Sequence, residues 1–125
     1  DNFRTALAER GVNSGVIMTQ VVPPLDSTLP IVREARAALG NSFGYVSLEG
    51  FIVARLWLKA MNAIEGPLTR AAFLNAIRGA RFDLGGLEMD FSNDNQGSDY
   101  VLLTQLTPTG FEVMRADDWR KLLAP

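Results

Sequence analysis

The chain has 125 residues, of which 47% are hydrophobic and 21% are charged, and its formal net charge at pH 7 is −2. These values fit one globular domain with a core of its own, and they exclude the clustered basic surface that marks a nucleic-acid-binding protein. Because cysteine and histidine are absent, the sequence excludes thiol nucleophiles, Ser-His and Cys-His catalytic pairs, and the common zinc sites.

The first third of the chain predicts a helix, a strand and a second helix. Residues 2–10 have one apolar face and predict a short amphipathic helix. Residues 16–22, VIMTQVV, are apolar on both sides and predict a buried strand of a parallel sheet that ends at Pro23-Pro24. Pro30 fits the first turn of a helix that ends before Gly40. This alternation of helix and buried strand indicates an α/β fold.

Residues 47–65 predict the helix around which the core forms, with Ser47 as its N-cap. Outside one narrow polar line, which consists of Arg55, Lys59 and Asn62, apolar side chains cover most of its circumference. Such a helix needs cover on several sides. Arg55 and Lys59 also interrupt the longest apolar run, so no bilayer-spanning segment is predicted. Glu49 lies on an apolar flank, where it either complements the positive end of the helix dipole or lines a cleft with Tyr45 and Ser47.

The rest of the chain predicts one more helix and then strands. Thr69 is the natural cap of the helix. In the segment FDLGGLEMDF, Gly85-Gly86 predicts a bulge or bend, and the alternation that follows predicts a strand. The segments YVLLTQLT and FEVM predict two antiparallel strands joined across residues 108–110. Trp119 lies in a short terminal segment, where it is expected to anchor the tail.

Residues 92–99 form a polar loop with oxygen donors around Gly97. The loop lacks the acidic spacing and the final glutamate of a calcium loop, so a simple connection is the favoured interpretation. Elsewhere, five carboxylates are candidates for an acid–base pair: Glu49, Glu65, Asp83, Glu88 and Asp90. Their spacing places no two of them on a shared surface. We therefore predict no metal, no cofactor and no enzymatic activity.

Five segments resemble, in order, the second half of a type I periplasmic binding protein. They are VIMTQVVPP, LPIVREARAALG, YVSLEGFIVARLWLKAM, GPLTRAAFLNAI and FDLGGLEMDFSNDNQGSDYVLLTQL. The chain is most similar to the leucine-isoleucine-valine branch of the amino-acid receptors of ABC importers. The resemblance implies the C-terminal portion of a two-lobed α/β fold, with helices packed on strands and a C-terminal antiparallel β hairpin. Residues 1–22 would belong to one lobe, residues 30–80 to the other, and residues 82–125 to the crossover and the C-terminal strands.

The resemblance also implies a function. Such receptors bind an amino acid of the branched-chain type, or a similar small polar metabolite, between their lobes and pass it to the membrane permease of an ABC importer. Their location is periplasmic, or extracellular with a lipid anchor. The start of the central helix faces the cleft, which implies Tyr45, Ser47 and Glu49 as ligand contacts. The alternative is a ligand-sensing domain of a signalling receptor or regulator with the same fold.

The family's first half has no counterpart here, and the chain has no initiator Met and no signal sequence. The chain is therefore interpreted as a fragment. Sheet edges that the other half would pair are expected to be bare, and bare edges recruit partners. We expect copies of the chain to associate through these edges.

Overall fold

The computed structural model describes residues 2–115 and 117–118, so Trp119 lies outside the described residues. In chain order the elements are α1 (Asn2–Ala8), β1 (Ile17–Gln20), α2 (Pro30–Leu39), a 3₁₀ turn (Gly40–Ser42), α3 (Tyr45–Asn62), α4 (Arg70–Ile77), β2 (Arg81–Asp83), β3 (Glu88–Asp90), β4 (Leu102–Thr107) and β5 (Gly110–Val113). The chain divides into two compact units, one of Asp1–Pro24 with Tyr100–Pro125 and one of Leu25–Asp99. In the described part of the chain, no helix is long and apolar enough to span a bilayer.

The first unit contains a three-stranded antiparallel sheet with the strand order β1-β4-β5. The prediction of a buried parallel strand at residues 16–22 is wrong, because β1 pairs antiparallel with β4 and Ile17, opposite Gln105, is 43% exposed. A strand that is apolar on both sides suits the interior of a parallel sheet. Here β1 is an outer strand, and within the described residues it pairs with β4 alone.

The predicted antiparallel pair near the C-terminus is confirmed. β4 and β5 form a hairpin in which Thr107 lies opposite Gly110 across a two-residue turn. Thr104 and Leu106 of β4 are almost fully buried, at 1% and 2% exposure. The Thr104 hydroxyl donates a hydrogen bond to the Met18 carbonyl oxygen at 3.0 Å. This buried polar group is therefore satisfied, and it joins β4 to β1.

The second unit begins with α2, whose predicted bounds are confirmed. Pro30 occupies the first turn, and Gly40 follows the helix with a φ of 52°. Ile31, Val32 and Ala35 form the buried face of α2. The Thr69 cap is also confirmed, since the Thr69 hydroxyl oxygen accepts a hydrogen bond from the Ala72 N–H at 3.1 Å.

A β hairpin stands where the sequence predicted a bend followed by one strand. β2 and β3 pair antiparallel, with Phe82 opposite Met89, and Gly85 and Gly86 reverse the chain with φ values of 87° and 85°. The Ile31 N–H at the start of α2 donates a hydrogen bond to the Gly85 carbonyl oxygen at 3.2 Å. The glycine pair therefore serves two purposes, since it supplies positive φ angles and lets the turn approach α2 closely.

Two residues of the polar line of α3, Arg55 and Lys59, contact the rest of the second unit. Arg55 Nη2 lies 2.8 Å from Glu34 Oε2 of α2, and Lys59 Nζ donates a hydrogen bond to the Asp83 carbonyl oxygen of the hairpin. The buried residues of α3 are Leu48, Ile52 and Ala60. The long stems of Arg and Lys can cover apolar surface while their charged ends reach polar partners. The described residues therefore cover α3 on one side.

The opposite side of α3 is open, so the expected cover on several sides is not present in the described part of the chain. Val46, Gly50, Val53 and Trp57 lie along this side, and we call them the α3 stripe. Val46, Val53 and Trp57 are 85%, 58% and 50% exposed. A glycine inside a helix costs about 1 kcal/mol relative to alanine. No atom lies within 4 Å of the position that a Cβ on Gly50 would occupy, so the described structure contains no close packing that explains this glycine.

Candidate ligand-binding site

Ser47, which lies inside α3, stabilises the first turn of the helix through hydrogen bonds to the backbone. Gly44 precedes the helix with extended backbone, and its carbonyl oxygen accepts a hydrogen bond from the Leu48 N–H at 2.8 Å. Ser47 Oγ accepts a hydrogen bond from the Gly44 N–H at 2.8 Å and donates one to the Ser42 carbonyl oxygen at 2.6 Å. The prediction of Ser47 as N-cap is therefore wrong. Ser47 instead reaches back from the third helical position, as Glu or Gln does in a capping box.

The three predicted ligand contacts do not all lie on one side of α3. Tyr45 and Glu49 are four residues apart and share one helix face. Ser47 lies about 200° around the helix from Tyr45, with its hydroxyl bonded to backbone atoms of residues 42–44. Tyr45 is half-buried and Glu49 is exposed. The Tyr45 phenol and the Glu49 carboxylate therefore share a face of α3 on which Ser47 does not lie.

Glu49 lies beyond the reach of the helix dipole. α3 begins at Tyr45, and its first turn contains no acidic residue. The stabilising effect of the dipole falls off within the first turn. This removes the structural explanation that the sequence offered for Glu49 and leaves an exposed carboxylate beside an exposed apolar stripe.

The β2–β3 hairpin brings together carboxylates that sequence spacing did not connect. Asp83 lies opposite Glu88, and Arg81 lies opposite Asp90. Directly opposed residues of an antiparallel pair lie on the same face. A shallow depression of about 430 Å³ beside the hairpin is lined by Arg81, Phe82, Asp83, Gly86 and Glu88. Recognition of the Gly-Gly pair as a chain reversal would have predicted this register.

Two of these carboxylates stabilise the hairpin itself. Asp83 Oδ1 accepts hydrogen bonds from the N–H groups of Gly85 and Gly86 at 3.0 and 2.7 Å. Asp90 Oδ2 lies 2.9 Å from Arg81 Nε, and Asp90 Oδ1 accepts a hydrogen bond from the Ser92 N–H at 2.8 Å. Hydrogen bonds from Ser92, together with the Arg81 charge, lower the pKa of Asp90. Asp83 and Asp90 therefore have structural roles in the hairpin.

The polar loop at residues 92–99 uses its oxygen donors internally. Asp94 Oδ1 accepts a hydrogen bond from the Gln96 N–H at 2.7 Å, and Asp99 Oδ1 accepts one from the Gln96 side-chain amide at 2.8 Å. Within residues 2–115 and 117–118, no group of three or more acidic side chains is placed to hold a metal ion. The described loop is a connection whose polar side chains form hydrogen bonds within the loop.

Three solved structures match the chain over most of its length. The first, described as "a possible leucine/isoleucine/valine-binding protein from Rhodopirellula baltica SH 1", is 34% identical over 90% of this chain with a TM-score of 0.76. An "extracellular ligand-binding receptor from Verminephrobacter eiseniae ef01-2" is 28% identical over 89% of the chain, with a TM-score of 0.74. A "substrate-binding periplasmic protein (Pbp) from Ralstonia solanacearum" is 27% identical over 88%, with a TM-score of 0.70.

The chain matches part of the type I periplasmic binding protein fold. It spans about a third of these solved proteins, namely 32%, 34% and 34% of their chains, whereas the sequence indicated a half. The predicted fold class is confirmed, since the mixture of helices and antiparallel hairpins matches a part of the type I fold. All three solved proteins are described as binding proteins or a receptor rather than as enzymes. No protein-family model and no curated protein matches the sequence.

Proposed function

We propose that this chain is part of a receptor that binds a branched-chain amino acid, or a similar small polar solute, without chemical conversion. The observation that carries the proposal is the match to the R. baltica protein, which combines 34% identity with a TM-score of 0.76 over 90% of this chain. That protein is described as "a possible leucine/isoleucine/valine-binding protein". Binding would stabilise a closed arrangement of the receptor's lobes, because a ligand favours the state that it contacts most.

Within the chain, Tyr45 and Glu49 are the proposed ligand contacts. They share one face at the start of α3, and Glu49 is exposed. An amino acid carries an ammonium group, which a carboxylate attracts, and a carboxylate group, to which a phenol can donate a hydrogen bond. Ser47, the third residue implied by the resemblance, would act indirectly by fixing the start of the helix. The lobe assignment of residues 1–22, 30–80 and 82–125 is part of the same proposal.

The proposed context is an ABC importer, with a membrane permease as partner and a periplasmic or lipid-anchored extracellular location. The structure from Ralstonia solanacearum is described as a periplasmic substrate-binding protein, which supports this context. A ligand-sensing domain of a signalling protein is the second candidate, because the Verminephrobacter eiseniae structure is described as an extracellular receptor. The complete open reading frame decides between them. A fused membrane or output domain would favour sensing, and a neighbouring permease gene would favour import.

A thermal-shift screen tests the solute class. The R. baltica chimera, defined as the solved R. baltica protein with its aligned segment replaced by this chain, is screened against the twenty amino acids beside the parent protein. A ligand that binds only the folded state raises the unfolding midpoint. At a free ligand concentration a hundred times its dissociation constant, the ligand adds about 2.7 kcal/mol to the free energy of unfolding. We expect leucine, isoleucine or valine to raise the midpoint of the chimera. A folded chimera that no amino acid stabilises, beside a parent that responds, would contradict the proposal.

A further inference from the structure

Residues 13–15, which we call the α1–β1 link, join two fixed points of the first unit. Just before the link, the Val12 N–H donates a hydrogen bond to the Leu7 carbonyl oxygen at 2.9 Å. Just after it, the Val16 carbonyl oxygen accepts a hydrogen bond from the Leu106 N–H at 2.8 Å. Among the residues that the structure describes, no hydrogen bond involves the link, and its three residues are exposed. Its backbone can therefore change conformation without breaking a hydrogen bond.

The link contains Asn13-Ser14, a dipeptide with an intrinsic reactivity. The side chain of an asparagine can reach neighbouring backbone groups, and the backbone nitrogen of the next residue can attack its carboxamide carbon. A β-branched or bulky next residue obstructs this approach, whereas serine is small and its electron-withdrawing hydroxyl makes its own N–H more acidic. The seven asparagines precede, in chain order, Phe, Ser, Ser, Ala, Ala, Asp and Gln. Asn13-Ser14 and Asn41-Ser42 are therefore the most reactive pairs in the sequence.

The second pair is fixed by hydrogen bonds. Asn41 lies in the 3₁₀ turn, where the Phe43 N–H donates a hydrogen bond to the Gly40 carbonyl oxygen at 3.1 Å. The Ser42 carbonyl oxygen also accepts a hydrogen bond from Ser47 Oγ at 2.6 Å. Reaction at Asn41 therefore requires that the turn open first, whereas reaction in the link requires no such opening. The two identical dipeptides differ in structure rather than in chemistry.

We infer that Asn13 is a site of spontaneous deamidation, which converts it to aspartate and isoaspartate. The Ser14 backbone nitrogen attacks Asn13 Cγ and the bond from Cγ to the side-chain nitrogen breaks. The displaced nitrogen leaves as ammonia, with the proton from the Ser14 N–H, and a cyclic imide remains. Water that adds at Cγ opens the imide to aspartate. Water that adds at the Asn13 backbone carbonyl carbon opens it to isoaspartate, in which the main chain runs through Cβ and Cγ.

Both products change the link. Either one changes the formal net charge from −2 to −3, because one carboxylate replaces one neutral carboxamide. Isoaspartate also adds one atom to the main chain of a link that spans only three residues between hydrogen-bonded positions. Asn13→Asp carries the charge without the extra atom, and we expect it to unfold at the wild-type temperature, because an exposed substitution without native contacts has little effect on stability.

Peptide mapping by mass spectrometry measures both Asn-Ser pairs in one sample. Trypsin places Asn13 and Asn41 in separate peptides, residues 11–33 and 37–55. The isolated chain and the R. baltica chimera are incubated in mildly alkaline buffer, and conversion is followed by the mass increase of each peptide. We expect Asn13 to convert at least about tenfold faster than Asn41 in both proteins, because only the turn requires local opening. In guanidinium chloride, which unfolds the proteins, the two rates are expected to converge.

Two variants of the link test the chemistry of the reaction. Asn13→Gln retains a carboxamide, but its cyclisation needs a larger ring, so we expect conversion at this position to become undetectable. Ser14→Val keeps Asn13 and places a β-branched side chain beside the attacking nitrogen, so we expect slower conversion. Asn41 is the internal reference in both variants, because neither substitution changes the 3₁₀ turn.

Three results would overturn the inference. Equal rates at Asn13 and Asn41 in both proteins without denaturant would show that the link is as protected as the turn. A rate difference that persists in guanidinium chloride would show that the neighbouring sequence, rather than the structure, determines the rates. An unchanged rate in Ser14→Val would show that the Ser14 nitrogen is not the nucleophile.

Discussion

Ser47 Oγ accepts a hydrogen bond from the Gly44 N–H at 2.8 Å, so this side chain holds the first turn of α3. Loss of a helix-capping side chain typically costs about 1 kcal/mol. We therefore expect Ser47→Ala to lower the free energy of unfolding by about that amount, measured by urea denaturation. Ser42→Ala is the control, because the bond at residue 42 involves its backbone carbonyl. Equal stability of the two variants would contradict this role for Ser47.

Gly85 is expected to tolerate alanine less well than Gly79. Both have positive φ angles, of 87° and 74°, and the left-handed conformation costs an L-residue about 1–2 kcal/mol. A Cβ at Gly85 would also lie 3.0 Å from the Ile31 backbone nitrogen, whereas a Cβ at Gly79 meets nothing within 4 Å. Thermal denaturation should show a larger decrease in the unfolding midpoint for Gly85→Ala than for Gly79→Ala. The reverse order would show that the turn does not approach α2 closely.

The Asp90 carboxyl is expected to make the stability of the protein depend on pH in the acid range. Hydrogen bonds from Ser92 and the Arg81 charge lower its pKa below the ordinary 3.8. A carboxyl with a lowered folded-state pKa stabilises the protein above the unfolded-state pKa, and this contribution is lost as pH falls through the folded-state pKa. Urea midpoints should therefore fall less in acid for Asp90→Asn and Ser92→Ala than for the wild type. Ser42→Ala should retain the wild-type pH dependence, and wild-type behaviour in all three variants would contradict the assignment.

The outer edge of β1 is the proposed site of association between isolated copies. Among the described residues β1 pairs only with β4, and Ile17 is 43% exposed. Lysine on an edge strand discourages pairing with another strand. Sedimentation should therefore show an average mass that rises with concentration, and Thr19→Lys should reduce this rise while Thr109→Lys, in the β4–β5 turn, should not. A monomer at high concentration would contradict the proposal.

Local signals explain which elements the sequence predicts correctly. The bounds of α2 follow from Pro30 at its start and Gly40 after its end, since each residue acts on its own backbone. The Thr69 cap is likewise a bond between residues three positions apart. The start of α3 is missed because Ser47 caps the helix from inside it, and sequence rules favour the outside position for serine.

Long-range geometry explains what the sequence misses. The direction of β1 depends on its pairing with β4, more than eighty residues away, and no local pattern encodes that pairing. Asp83 and Glu88 face each other only because Gly85 and Gly86 reverse the chain. The shared face of Tyr45 and Glu49, by contrast, follows from helical spacing alone. The open side of α3 is also invisible to periodicity, which shows that a face is apolar but does not identify what covers it.

Isothermal titration of the R. baltica chimera with a branched-chain amino acid shows whether the start of α3 contacts the solute. We predict saturable binding with one site. Tyr45→Ala and Glu49→Gln are each expected to weaken this binding about tenfold or more, which corresponds to about 1.4 kcal/mol. Asn62→Ala, at the far end of α3, should retain the affinity of the unsubstituted chimera. A folded chimera that binds no amino acid bound by the parent, or one whose affinity is unchanged by Tyr45→Ala and Glu49→Gln, would contradict the claim that the start of α3 contacts the solute.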